Sequence, residues 1–231
     1  HPGKKLYYHW ESRQLQRFYS KIPPQTPFAC LSLADKSFLV ERFGFLNTSF
    51  IPCFIPWQQV TSGEGKGDYC LYHGNMTVAE NEGAALWLMK EVFRDLSIPL
   101  VIAGNGISMK VQNEAARNRF VRCINNPPMD ELGALVKDAQ INVLPSLNAT
   151  GVKLKLVHSL FTGRFCIVNT NGVKGSALEN MVCIADNPTA FKSTITELYD
   201  RPFLAADKKN REALLTVYNN MENAKKLSAL W

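Results

Sequence analysis

The amino-acid sequence predicts an α/β fold, in which a parallel sheet carries helices on both of its faces. After residue 68, short apolar runs alternate with segments of helical periodicity, which is typical of repeated strand–helix–strand units. The runs contain few polar residues, as expected for strands that are covered on both sides. With 46% hydrophobic and 20% charged residues, the 231-residue chain has the composition of a globular protein, which excludes disordered, collagen-like and coiled-coil proteins.

The segment before residue 62 predicts a partial second α/β element. Its helical and apolar patterns alternate twice, and Gly44 marks the end of the second helix. We expect its elements to be a helix over 4–22, a strand over 28–33, a helix over 35–43 and a strand over 50–55.

This segment is rich in aromatic residues, and three glycines follow it within residues 62–67. We expect Trp10, Phe18, Phe38 and Phe54 to be buried, because large aromatic side chains usually are. The glycine-rich stretch indicates a linker. We therefore divide the chain into a first part of residues 1–61, a linker of 62–68 and a main domain of 69–231.

The main domain predicts six strands and the helices between them. The strands are expected over 69–73, 100–103, 120–124, 141–144, 165–168 and 181–184. The helices are expected over 79–96, 108–118, 129–138, 151–162 and 174–180, with two closing helices over 188–199 and 208–227.

Ligands of open α/β sheets bind beyond the carboxyl ends of the strands, so the loops after the strands are the places to look. The most informative loop leads into the helix predicted over 151–162. Thr150 is a suitable N-cap, and Gly163 lies where this helix would end. Lys153 and Lys155 fall in its first half, where cations and helix amides together suit a phosphate group. The alternative is that both lysines only cover an apolar helix and reach water.

The same region resembles the donor-binding half of GT-B glycosyltransferases, and is most similar to the family-four (group 1) enzymes. The resemblance implies a Rossmann-like C-terminal domain over 69–231, preceded in 1–61 by the tail of an acceptor domain. It is carried by LPS at 144–146, TGVKLK at 150–155, GR at 163–164, NGVKG at 171–175, LYHGN at 71–75 and LVIAGNG at 100–106, and it extends over about residues 28–227.

In such enzymes two glutamates, separated by seven residues, mark the donor site. Here Thr150 and His158 stand at those positions, and the basic residues that relatives carry after the first strand are absent from 74–78. The resemblance implies that Lys153 binds the phosphates and that His158 binds a ribose hydroxyl, although His158 could instead be an ordinary helix histidine. It further implies donor-binding roles for Gly74, Asn75, Asn125, Ser146, Thr150 and Gly151.

The implied reaction is transfer of a hexosyl group, with retention, from a UDP- or GDP-sugar to a saccharide or lipid-linked acceptor. We expect no metal or other cofactor and no nucleic-acid partner. No apolar run reaches the roughly 18 residues that cross a bilayer, and no secretory leader is recognisable. We therefore expect a cytoplasmic protein, and leave open its peripheral association with the inner face of the membrane.

Other interpretations remain. The chain begins at His1 rather than methionine, and residues 1–61 are too few for a complete acceptor domain, so we expect no turnover from this chain alone. A non-catalytic GT-B relative and an α/β nucleotide-sugar enzyme such as an epimerase are the alternatives. The net charge of +6 favours anionic ligands or reflects a solvated basic surface. A dinucleotide oxidoreductase is disfavoured, because the glycine motif at 104–109 lacks its third glycine.

Overall fold

Residues 2–230 are described by a computed structural model, in which the chain forms two compact units. The first unit contains residues 2–53 and 221–230, and the second contains residues 54–220. Residues 62–68, expected to be a linker, lie inside the second unit. The division into domains at 1–61, 62–68 and 69–231 stays a prediction about the protein's organisation.

The first unit contains a two-stranded parallel sheet and two helices before it ends at residue 53. Ser32 caps the second helix by accepting a hydrogen bond from the backbone N–H of Asp35, at 3.2 Å, and Gly44 ends it with a φ of +72°. The predicted stop at Gly44 is thereby confirmed. The elements are α1 (Pro2–Tyr19), β1 (Phe28–Cys30), α2 (Leu33–Phe43) and β2 (Thr48–Phe50).

The expected burial of four aromatic side chains is wrong. Trp10, Phe18 and Phe38 in the first unit, and Phe54 at the start of the second, each leave half or more of their surface exposed. The small core of the first unit is formed instead by Cys30, Leu39 and Phe45, with Tyr19, Ile22, Phe28 and Phe43 packed against it.

The second unit is built on a six-stranded parallel sheet with the order β5-β4-β3-β6-β7-β8. The strands β3, β4, β6 and β7 are buried along their whole length, which confirms the prediction from their apolar runs. The strands are β3 (Cys70–His73), β4 (Leu100–Gly104), β5 (Val121–Asn125), β6 (Ile141–Val143), β7 (Phe165–Val168) and β8 (Cys183–Ile184).

Helices cover both faces of this sheet. One layer contains α3, α4 and α8, and the other contains α5 and α6. Under the second layer, Leu71, Val101 and Ala103 of the sheet pack with Val136 of α5. The helices are α3 (Ala79–Trp87), α4 (Met109–Ala115), α5 (Met129–Asp138), α6 (Leu154–Thr162), α7 (Thr170–Val173), α8 (Pro188–Tyr199), α9 (Ala205–Lys209), α10 (Glu212–Val217) and α11 (Asn220–Ser228), which passes into the first unit at Met221.

Several predicted helices differ from the observed ones. The helix expected over 79–96 is α-helical only to Trp87 and continues as a π-helical turn, Leu88–Val92. No continuous helix fills 174–180, because Ala177 has a φ of +63°, outside the helical region. The helix expected over 208–227 is divided among α9, α10 and α11.

The order of the strands reverses between β3 and β6. From β3 the chain proceeds through α3 to β4, and later returns through α5 to β6, on the other side of β3. Such a reversal leaves a crevice where the two strands end, since the loops that follow them lead in opposite directions. The loops after β3 and β6 are those that contain Gly74 and Ser146.

A buried arginine holds the end of α6, the helix whose other end lies at this crevice. The Arg211 guanidinium is almost fully buried and donates hydrogen bonds to the carbonyl oxygens of Leu160 (3.0 Å) and Gly163 (2.5 Å), to Ser62 Oγ (2.8 Å) and to the carbonyl oxygen of Arg164. Burial lowers the pKa of Arg211 to about 10, so the side chain stays charged. Arg211 therefore satisfies carbonyl groups that the last turn of a helix leaves without partners.

Replacing Arg211 by leucine should lower the free energy of unfolding by about 2–4 kcal/mol, because the carbonyls of Leu160 and Gly163 lose their buried donor. Urea denaturation followed by circular dichroism measures this change. Arg117→Leu is the control: the Arg117 side chain is 76% exposed and forms a surface ion pair with Glu114, so we expect a change within about 0.5 kcal/mol. Equal changes in the two variants would contradict the role given to Arg211.

Candidate functional site

The loop after β3 is fixed by the first turn of α3. The side chain of Asn81 donates a hydrogen bond to the carbonyl oxygen of Asn75 (2.9 Å), and the Tyr72 hydroxyl donates to the carbonyl oxygen of Asn81 (3.0 Å). A Cβ atom at position 74 would lie 3.2 Å from the Asn81 side chain, so Gly74 permits this close approach. The loop thus turns tightly beside the crevice.

Glu80, also in the first turn of α3, holds the loop that follows β6. Its Oε1 atom accepts a hydrogen bond from Ser146 Oγ (2.7 Å) and one from the backbone N–H of Asn148 (3.3 Å). Its Oε2 atom accepts from the side-chain amide of Asn148. Burial alone would raise the pKa of Glu80, but the bond from Ser146 and the charge of Lys153 outweigh it and keep this pKa below its usual value.

Asn148 links this carboxylate to Lys153. The Asn148 Oδ1 atom accepts hydrogen bonds from Lys153 Nζ (2.7 Å), from Thr150 Oγ1 (3.1 Å) and from the backbone N–H of Thr150 (3.2 Å). Lys153 Nζ also donates to the carbonyl oxygen of Thr150, at 2.9 Å. The segment from Ser146 to Lys153 is therefore a hydrogen-bonded loop.

The prediction that Thr150 caps a helix over 151–162 is wrong. Helix α6 begins at Leu154, and Lys153 occupies the N-cap position without a side-chain hydrogen bond to the helix. Two features delay the start of the helix: Gly151 has a φ of +66°, which a right-handed helix does not admit, and the hydroxyl of Thr150 is bonded to Asn148 instead. Gly163 is the C-cap, as predicted.

Lys155 lies deeper in the crevice than Lys153. Its Nζ atom is within hydrogen-bond distance of Asn81 Oδ1 (3.1 Å), the Tyr72 hydroxyl (3.3 Å) and the carbonyl oxygen of His73 (3.4 Å), and it lies 4.6 Å from the centre of the Tyr72 ring. Within residues 2–230, no carboxylate lies within ion-pair distance of it. Burial lowers the pKa of Lys155 to about 8.

Two histidines lie next to Lys155. The His158 ring is stacked on Trp57, with centres 4.6 Å apart and planes at 11°, and His73 meets it edge-on at 6.3 Å. Burial lowers the pKa of His158, and burial together with the charge of Lys155 lowers the pKa of His73 to about 3. His73 is therefore neutral at physiological pH, and its buried Nε2 atom has no hydrogen-bond partner among residues 2–230.

A cavity of about 550 Å³ opens beside these residues, between α5 and α6. Its walls are mainly apolar or aromatic, and they also include Lys155 and Lys137. Such a volume suits a small organic ligand. The lining includes Pro56, Trp57, Met129, Leu132, Leu154 and His158.

The eight predicted site residues separate into two groups. Gly74, Asn75, Ser146, Thr150, Gly151, Lys153 and His158 lie on the two loops and the helix that border the crevice. Asn125 ends β5, two strands from β3, where its side chain accepts a hydrogen bond from the backbone N–H of Ile107 at 2.9 Å. The function predicted for each of the eight remains untested by this geometry.

Sequence reasoning missed Glu80, Asn81 and Trp57 and placed Lys155 second to Lys153. Glu80 and Asn81 follow the glycine loop within one helical turn, which is a usable signal for residues beside a crevice. No pattern around Trp57 in the sequence predicts a role at the site, because the two residues that stack, Trp57 and His158, are brought together only by folding.

The described part of the chain contains no cluster of three or more His, Cys, Asp or Glu residues suited to a metal ion. Nor does any helix within residues 2–230 combine the length and the apolar character that a membrane span requires.

Comparison with known proteins identifies a family. The model of the family described as glycosyl transferases group 1 matches residues 67–201, more than half of the chain. An uncharacterized 44.6 kDa protein in the cps region of Klebsiella pneumoniae is 25% identical over 205 residues, which represent 83% of this chain and 52% of that protein. The chain thus spans about half the length of this relative.

Solved structures share the fold. The G117R mutant of S. aureus TarM, in complex with fondaparinux, α-GlcNAc-glycerol and UDP, has a TM-score of 0.73 at 14% identity, and the match covers 95% of this chain and 46% of the TarM chain. Anabaena HepE, in complex with UDP and glucose, has a TM-score of 0.65 at 10% identity, with 94% and 66% covered. Pneumococcal GtfA, an O-GlcNAc transferase in complex with UDP and GlcNAc, has a TM-score of 0.63 at 13% identity, with 88% and 44% covered.

The buried ammonium of Lys155 predicts a specific pH dependence of stability. Its pKa is about 8 in the folded protein against 10.5 for an ordinary lysine, so between these values the unfolded chain binds the extra proton and stability rises with pH. Relative to Lys155→Met, the wild type should gain about 3 kcal/mol of unfolding free energy between pH 7 and pH 10.5. Urea denaturation of both proteins at several pH values measures it, and a constant difference would contradict the assignment.

Proposed function

This chain belongs to the glycosyl transferases of group 1, and we propose that it forms the donor-binding part of an enzyme that transfers a sugar from a nucleotide-sugar to an acceptor. The donor diphosphate binds in the crevice between β3 and β6. The nucleoside extends into the cavity between α5 and α6.

The observation that carries this proposal is the charged and largely, but not fully, buried Lys155. An ammonium group without a carboxylate partner is costly to bury, and it becomes favourable when an anion approaches. Lys153 and the amino-terminal end of α6 add positive potential to the same crevice. The UDP in the TarM, HepE and GtfA structures supports a nucleoside diphosphate as that anion.

The nucleoside position rests on His158 and the cavity. His158 lines the cavity together with Lys155, so one ligand could span both residues. One ring nitrogen of a neutral imidazole donates a hydrogen bond and the other accepts one, which suits a ribose hydroxyl. Trp57 and the apolar wall offer a surface against which a planar base can pack.

The chemistry requires stabilisation of the leaving diphosphate. As the bond from the anomeric carbon to the β-phosphate oxygen breaks, negative charge develops on that oxygen, and fixed cations there lower the barrier. Lys153 and Lys155 provide such cations. The acceptor oxygen bonds to the anomeric carbon, and its proton passes to the departing diphosphate oxygen. We propose a hexosyl donor linked to UDP or GDP, retention of configuration, a saccharide or lipid-linked acceptor, and no metal cofactor.

Lys155→Met should weaken UDP or GDP binding by about 10- to 100-fold, because a charge-assisted contact with the diphosphate is lost. Lys153→Met should have a smaller effect, since Lys153 already bonds to Asn148 and Thr150. Isothermal titration calorimetry with UDP, GDP, ADP and pyrophosphate measures these affinities. Lys66→Met, which removes an exposed lysine paired with Asp200, is the charge-matched control. Absence of binding by the wild type to all four compounds would refute the proposed function.

His158→Ala should weaken uridine or guanosine and the corresponding diphosphate by a similar factor, about 5- to 10-fold, and leave pyrophosphate affinity unchanged. The reason is that a single neutral hydrogen bond to the ribose contributes about 1 kcal/mol and does not involve the phosphates. The same titrations test this. Loss of pyrophosphate affinity in His158→Ala would show that His158 acts at the phosphates or only in folding.

A further inference from the structure

Glu80 places a negative charge beside the crevice proposed to bind an anion. On electrostatic grounds alone its carboxylate should oppose a diphosphate, because it lies close to both proposed phosphate ligands: the charge of Lys153 lowers the pKa of Glu80, and Glu80 in turn acts to raise the pKa of Lys155. Yet the carboxylate is not bonded to either lysine. Its hydrogen bonds go to Ser146 and Asn148, 66 and 68 residues further along the chain.

The bonds of Glu80 organise the whole loop from Ser146 to Lys153, which we call the phosphate loop after its proposed ligand. The Asn148 side chain is shared: its amide nitrogen donates to Glu80, and its Oδ1 atom accepts from Lys153 Nζ and from Thr150. Because the nitrogen is held by a carboxylate, the oxygen must face Lys153. The orientation of the Asn148 amide, and through it the position of Lys153, thus depends on Glu80.

We infer that Glu80 is a positioning residue for the anion site: it fixes the phosphate loop so that Lys153 and the first turn of α6 face the crevice. This inference rests on the proposed function. Glu80 favours binding through preorganisation, since a loop that is ordered before the ligand arrives loses less conformational freedom on binding. Glu80 also weakens binding, because its carboxylate repels the diphosphate.

These two effects have opposite signs, which makes the inference testable. If Glu80 acts only through its charge, Glu80→Ala should bind UDP or GDP more tightly than the wild type. If it positions the loop, the same variant should bind about tenfold more weakly. The matched control is Glu82→Ala, which removes the same charge from the same turn of α3. Glu82 bonds to Ser108, outside the phosphate loop, so this variant should keep wild-type affinity or bind slightly more tightly.

A compensating pair separates positioning from general damage to the fold. In the double variant Glu80→Gln with Asn148→Asp, the amide and the carboxylate exchange places: the introduced amide can donate to the introduced carboxylate, which still accepts from Lys153 and Thr150. Each single variant should weaken UDP or GDP binding, and the double variant should recover most of the loss. Hydrogen exchange of the amides at 146–153 provides a readout without ligand. It should accelerate in Glu80→Ala and stay unchanged in Glu82→Ala.

The outcomes are distinct. A wild type that binds no nucleoside diphosphate removes the proposed function, and this inference with it. A wild type that binds, together with a Glu80→Ala variant of equal or higher affinity, overturns this inference alone. Strictly additive effects in the double variant would overturn it as well.

Discussion

The position of β3 at the centre of the sheet determines where everything else in the second unit lies. This strand forms parallel ladders with β4 on one side and with β6 on the other, so Cys70 is opposite both Leu100 and Ile141. Parallel ladders require each strand to end at the same edge. Since the chain leaves β3 and β6 toward opposite faces, this edge contains a crevice into which Lys155 and the two loops project.

The charged side chains that the structure describes at the crevice lie close together but do not form ion pairs with one another. Glu80 and Lys153 are bonded to the same asparagine rather than to each other, and Lys155 is surrounded by neutral oxygens. The neighbouring His73 is kept neutral by burial. In a member of the group 1 glycosyl transferases, this arrangement leaves the cations able to respond to an anionic ligand, while the hydrogen bonds maintain their positions. Thr150 and His158 add no carboxylate to the crevice, and the carboxylate of Glu80 is engaged by Ser146 and Asn148.

The fold could be predicted from the sequence to a large extent, and the site only in part. Strands such as β3 and β7 were identified because a strand buried on both faces is apolar throughout. The start of α6 was predicted three residues too early, since the backbone of Gly151 and the bonds of Asn148 depend on tertiary structure. The role of Glu80 was not predicted for the same reason. Its hydrogen-bond partners, Ser146 and Asn148, are far away in sequence, and local patterns do not predict such pairs.

The π-helical turn at Leu88–Val92 makes the element that begins with α3 tolerant of an inserted residue. A π-helical turn holds one more residue than an α-helical turn, so it can accommodate an inserted residue within a continuous helix. Here the turn itself supplies Leu88 and Val92 to the core, whereas Glu80 and Asn81 lie at the opposite end of α3, beside the crevice. The residues that border the crevice and those that pack in the core therefore lie at opposite ends of one continuous element, and a residue inserted between them can be taken up by the turn.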